Sequence, residues 1–82
     1  MTTLNERIDA LMEAHGVEPA PGTMPVDFGT KRNVKVGGGG YLMQRFPVTL
    51  YGPGWLRFLR EENIEALVTF LEENQDQISW GK

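Results

Sequence analysis

The sequence predicts an α+β fold, and three observations lead there. Residues 4–15 repeat apolar side chains at helical spacing, residues 33–51 are rich in β-branched and aromatic residues, and residues 53–74 return to the helical period. The prediction is an N-terminal helix, a small antiparallel β-sheet over about 32–51, and C-terminal helical segments packed on one face of it. The 82 residues are read as one domain: helix at 4–15, linker at 18–30, sheet-plus-helix core at 31–75, tail at 76–82.

Thr3-Leu4-Asn5-Glu6 has capping-box spacing, so a helix is expected to begin at Leu4. Leu4, Ile8, Leu11 and Met12 form its apolar stripe, and Gly16 can take the left-handed conformation that closes it, with Val17 folding back. His15, the one histidine, falls in the last turn, where its ring is expected to meet free carbonyls and favour the helix dipole. Pro19, Pro21 and Pro25 then make an extended linker through which neither helix nor strand runs easily.

Asn33–Val36 alternates polar and β-branched residues, and Tyr41–Tyr51 reads as a second strand that Pro47 bends or bulges. Between them Gly37–Gly40 is expected to form a mobile hairpin tip or a place where a partner's backbone comes close. The lysine and hydroxyl residue of a phosphate-binding P-loop do not follow these glycines, which argues against a nucleotide site. Gly52-Pro53-Gly54 turns the chain into a short helix over Pro53–Arg60, and Asn63 is the expected cap of the next. Ile64, Leu67, Val68 and Leu71 repeat at helical spacing to Asn74. A single helix over 53–74 would be apolar around more than half its circumference. The sequence therefore predicts either a break near Glu61–Asn63 or a helix with a partner on its far side.

Charge is unevenly distributed within the overall −3. Residues 1–28 hold five acids against Arg7, residues 29–60 hold six bases and no acid, and residues 61–82 hold six acids against Lys82. A basic segment between acidic ones suggests a polyanionic partner, unless the acidic ends neutralise it. Lys31, Arg32, Lys35, Arg45, Arg57 and Arg60 are interleaved with Tyr41, Phe46, Tyr51, Trp55 and Phe58, the mixture that tracks phosphates and stacks unpaired bases. With no cysteine and one histidine, no metal site, catalytic residue or cofactor is expected, and the chain is read as a non-enzyme. No run of apolar residues approaches the roughly 20 that span a bilayer, and the opening residues lack a signal-peptide pattern, so a cytoplasmic location without membrane contact is expected. Without disulfide or metal, so short a chain has a small core, and a homodimer is expected.

Phe46-Pro47-Val48-Thr49-Leu50-Tyr51-Gly52-Pro53-Gly54-Trp55-Leu56-Arg57-Phe58-Leu59 resembles the last strand and helix start of single-stranded-DNA-binding domains of the transcriptional positive-cofactor type. The resemblance implies a curved antiparallel sheet with a C-terminal helix that dimerises. It also implies contact with single-stranded nucleic acid through sheet residues such as Lys35, Tyr41 and Arg45, to which the charge pattern adds Lys31 and Arg32. The lysine-rich strands of that family are replaced here by sparse basic residues and a longer glycine-rich turn. Trp55, Leu56 and Leu59 are expected to be core. The rival expectation is a small accessory protein of the kind phages make, which binds and inhibits a host protein through acidic helices or the glycine-rich loop.

Overall fold

A computed structural model describes residues 2–80; Gly81 and Lys82 of the expected tail lie outside the described residues. The fold is α+β, with elements in the order α1 (Leu4–His15), β1 (Val26–Phe28), β2 (Val34–Val36), β3 (Val48–Leu50), α2 (Gly52–Phe58) and α3 (Glu61–Glu73), then a 3₁₀ turn at Gln75–Gln77. The chain forms two compact units, one from residues 1–19 with 60–82 and one from residues 20–59.

In the helical unit the capping box forms as read. Thr3 Oγ1 accepts from the Glu6 amide at 3.1 Å, and the Thr3 amide donates to Glu6 Oε1 at 2.8 Å. Gly16 closes α1 at φ 66°, and the Val17 amide returns to the Met12 carbonyl at 2.8 Å. Both bonds satisfy backbone groups that a helix end leaves open.

α1 packs on α3, burying Leu11 (7 % exposed) and Val68 (3 %). α3 starts from Arg60 in extended conformation rather than from Asn63, which is the third residue of its first turn. The Leu59–Arg60 break makes Glu61 and Glu62 the first turn, where the helix dipole favours acids.

Arg7 reaches across this unit in a forked contact that sequence reading did not find. Its Nε donates to Glu72 Oε2 at 3.0 Å, and its Nη2 donates to Glu72 Oε1 at 2.7 Å and to Thr69 Oγ1 at 3.0 Å. The hydrogen bond from Arg7 outweighs the opposing effect of burial and holds the Glu72 carboxyl below the usual carboxylate range. The same bond raises the Arg7 guanidinium. A carboxyl depressed in the folded state stabilises it above the ordinary glutamate pKa of about 4.3, and that stabilisation is lost as pH falls through the folded value. Urea midpoints of the wild type and Glu72→Gln should therefore differ most at neutral pH and converge below the carboxylate range. A gap that does not change with pH would contradict this assignment.

His15 does not cap carbonyls of its own helix as expected. Its Nε2 lies 2.8 Å from Gln75 Oε1, and its ring stacks on Trp80 with centroids 3.9 Å apart and planes at 6°. Trp80 Nε1 in turn donates to the Gln75 carbonyl at 2.8 Å, so the end of the described chain is tied to α1.

The other unit is built on an antiparallel sheet of order β1-β2-β3. Its register aligns Val26, Val36 and Val48 in one row, Asp27, Lys35 and Thr49 in the next, and Phe28, Val34 and Leu50 in the third. Side chains alternate across a sheet, so the middle row faces away from the two apolar rows. β1 corrects the reading of 18–30 as linker. A proline is tolerated next to an edge strand, and the Pro25 carbonyl extends the pairing by accepting the Gly37 amide at 3.0 Å.

The expected strand over Tyr41–Tyr51 shrinks to β3. Gly39, Gly40 and Met43 have φ of 70°, 83° and 60°, and the Met43 amide turns back to the Gly40 carbonyl at 2.9 Å, so residues 41–46 coil instead of extending. Gly37 is one of the glycines that packing favours. It is buried at φ 77°, and a Cβ there would fall on the Leu42 side chain.

α2 is held to the Val34–Leu50 end of the sheet. Trp55 Nε1 donates to the Val34 carbonyl at 2.8 Å, Trp55 meets Phe58 edge to face at 5.7 Å, and Gly54 lies against Leu50. Of the three residues expected in the core, Trp55 is half-buried, and Leu56 and Leu59 are exposed. The helix stops at Phe58, one residue before Leu59, and only the Trp55 side of this short element turns to the sheet.

Candidate nucleic-acid interface

Lys31 and Arg32 sit in the turn that joins β1 to β2. The Gly29 amide donates to the Asn33 carbonyl at 2.8 Å and the Arg32 amide to the Gly29 carbonyl at 3.3 Å. Arg32 takes φ 59°, a left-handed conformation that costs a residue with a Cβ about 1 kcal/mol. The result is a tight turn that holds the Arg32 guanidinium 4.9 Å from the centre of the Phe28 ring. Asn33 Oδ1 is buried without a hydrogen-bond partner, packed where a Cβ on Gly29 would have to lie.

Lys35 occupies the centre of β2, between Asp27 and Thr49 in the polar row. Pro25, Asp27, Lys35, Gly38 and Gly39 line an open hollow of about 310 Å³. Asp27 Oδ1 accepts from the Phe28 amide at 2.7 Å, which keeps this carboxylate within the strand pair. It is the one acid in the sheet, and it partly offsets Lys35.

Tyr41 and Arg45 lie in the loop between β2 and β3, at the opposite end of the sheet from Lys31 and Arg32. Arg45 stands 5.4 Å from the Phe46 ring centre, and Gln44 Nε2 donates to the Phe46 carbonyl at 2.8 Å. The five residues singled out in sequence are therefore strung out and not clustered: a turn, a central lysine on the face of the sheet opposite the Phe28 row, and a loop.

Sequence reading placed Phe46 among the interleaved aromatics and passed over Phe28. Phe28 is 61 % exposed and Phe46 69 %, so each ring offers a free face beside a guanidinium. Adjacency signalled the Arg45–Phe46 pair, whereas the Arg32–Phe28 pair needed the turn geometry to be known.

Among the described residues, no group of three or more His, Cys, Asp or Glu side chains could hold a metal ion, and no helix is long and apolar enough to cross a membrane. Searches of protein-family models, of curated proteins and of solved structures give no match to this chain.

Proposed function

We propose that this chain is a small, non-enzymatic protein that binds single-stranded nucleic acid through Lys31, Arg32, Lys35, Tyr41 and Arg45. The observation that carries the reading is the pair of exposed rings with guanidiniums against them: Phe46 with Arg45 inside residues 29–60, which hold six bases and no acid, and Phe28 with Arg32 at the edge of that run. Rings with a free face accept unstacked bases, and the cations beside them meet the phosphates. The turn and the loop sit at opposite ends of the sheet, which suits an extended strand better than a compact nucleotide. In this reading the protein acts in the cytoplasm as a homodimer. The dimer is supported by the thin core, in which Leu11 and Val68 are the buried apolar side chains among the described residues.

Fluorescence anisotropy with an oligothymidine of about 12 nucleotides, within the usual site size, tests the reading. The wild type should bind at low salt and weaken steeply as salt rises. Lys35→Ala with Arg45→Ala should leave the circular dichroism unchanged and flatten the slope of log K against log salt by about 1.4, or 0.7 for each lost phosphate contact. Absence of binding at low salt would overturn the proposal.

A second reading, an accessory protein that binds and inhibits a host protein, is favoured by one feature of the helical unit. Phe70 stands 59 % exposed among carboxylates on α3.

A further inference from the structure

We infer that the outer face of α3 is a docking groove for a basic amphipathic helix of a partner protein. This rests on the second reading above and names the partner's chemistry. Glu62, Glu65, Ala66, Thr69, Phe70 and Glu73 line a shallow groove of about 490 Å³. Their spacing of i, i+3, i+4, i+7, i+8 and i+11 is that of a single helical face, turned away from the Ile64, Val68 and Leu71 stripe that follows the packed side.

Ala66 and Phe70 form the apolar edge of this face, and Glu62, Glu65 and Glu73 lie beside them on one side. Thr69 Oγ1 accepts from the Arg7 guanidinium at 3.0 Å, which orients this hydroxyl on the face. Glu62 has a 3.6 Å contact with Arg60, an exposed pair of little energetic weight, so its charge remains available to a partner.

Charge complementarity selects the occupant. A nucleic acid would meet three carboxylates, and a second copy laying the same face into the groove would oppose acid with acid. An amphipathic helix with lysines or arginines beside its apolar stripe satisfies both parts. Its apolar side chains cover Ala66 and Phe70, its cations meet Glu62, Glu65 and Glu73, and a cationic head can also sit over the Phe70 ring.

The test uses the full chain and a labelled synthetic peptide of leucine and lysine, about 14 residues or four helical turns long. Glu62→Gln with Glu65→Gln and Glu73→Gln should weaken binding about 10-fold, and Phe70→Ser, at an exposed site that folding tolerates, about fivefold. Asp9→Asn with Glu13→Gln and Glu18→Gln changes the net charge equally, away from the groove, and should cost less than about threefold. Equal losses in the two triple variants would mean general attraction to an acidic chain and overturn the inference. So would a Phe70→Ser variant that binds as the wild type does. Leu42→Ser with Met43→Ser, in the glycine-rich loop, separates the two levels of the argument. If it alone weakens binding, the groove is wrong but a protein partner stands; if no variant weakens binding, both fail.

Discussion

Leu11→Ala is expected to lower the stability of the helical unit by about 3 kcal/mol, the usual cost of emptying a buried leucine site. Among the described residues, Leu11 from α1 and Val68 from α3 are the two apolar side chains of this unit with less than a tenth of their surface exposed. Small domains are stable by only about 5 kcal/mol or somewhat more, so the loss approaches the whole of it. Urea titration followed by far-ultraviolet circular dichroism should show a clearly lower midpoint, whereas Leu67→Ala, at an exposed position of the same helix, should fall within about 0.5 kcal/mol of the wild type. Equal effects at Leu11 and Leu67 would mean that the helices do not pack along this seam.

Trp55→Ala should destabilise the sheet unit by a similar amount, about 3 kcal/mol. Trp55 performs two tasks: its ring fills the space between α2 and the sheet against Phe58, and its indole NH closes the Val34 carbonyl at 2.8 Å. The two can be separated. Trp55→Phe keeps most of the ring but gives up the hydrogen bond, which should cost about 1 kcal/mol. Near-ultraviolet dichroism and urea midpoints measured on the two variants would order them wild type, Trp55→Phe, Trp55→Ala. If Trp55→Phe proves as damaging as Trp55→Ala, the bond to Val34 and not the packing joins α2 to the sheet.

Local chemistry was the part of this fold that could be read in advance. Thr3, Glu6, Gly16 and Val17 act within a few residues of one another, and the cap and stop of α1 formed as their spacing implied. The β pattern around Val34–Val36 and Val48–Leu50, and the proline-led start of α2, were legible for the same reason. The features that escaped join distant parts of the chain or depend on one backbone angle. Arg7 meets a glutamate 65 positions away, and His15 meets Gln75 and Trp80 instead of the carbonyls beside it. β1 follows three prolines that spoke for a linker, and it exists because a neighbouring strand supplies the pairing it cannot have alone. Residues 41–46 have the composition of a strand, but a left-handed Met43 turns them into a coil.

The proposed interface shows the same division. Its basic residues were visible as a charge run, but their order along the sheet required the register. Asp27 looked like part of an acidic flank, and pairing set it directly opposite Lys35. Phe28 lies outside the basic run in sequence and comes beneath Arg32 only when the turn closes.

The two indoles belong to different units, Trp55 to the sheet and Trp80 to the helices. Each unit thus contains its own intrinsic fluorophore. Removing either one leaves an emission signal from the other half alone, so the melting of the two halves can be followed separately in the intact chain without attaching a dye.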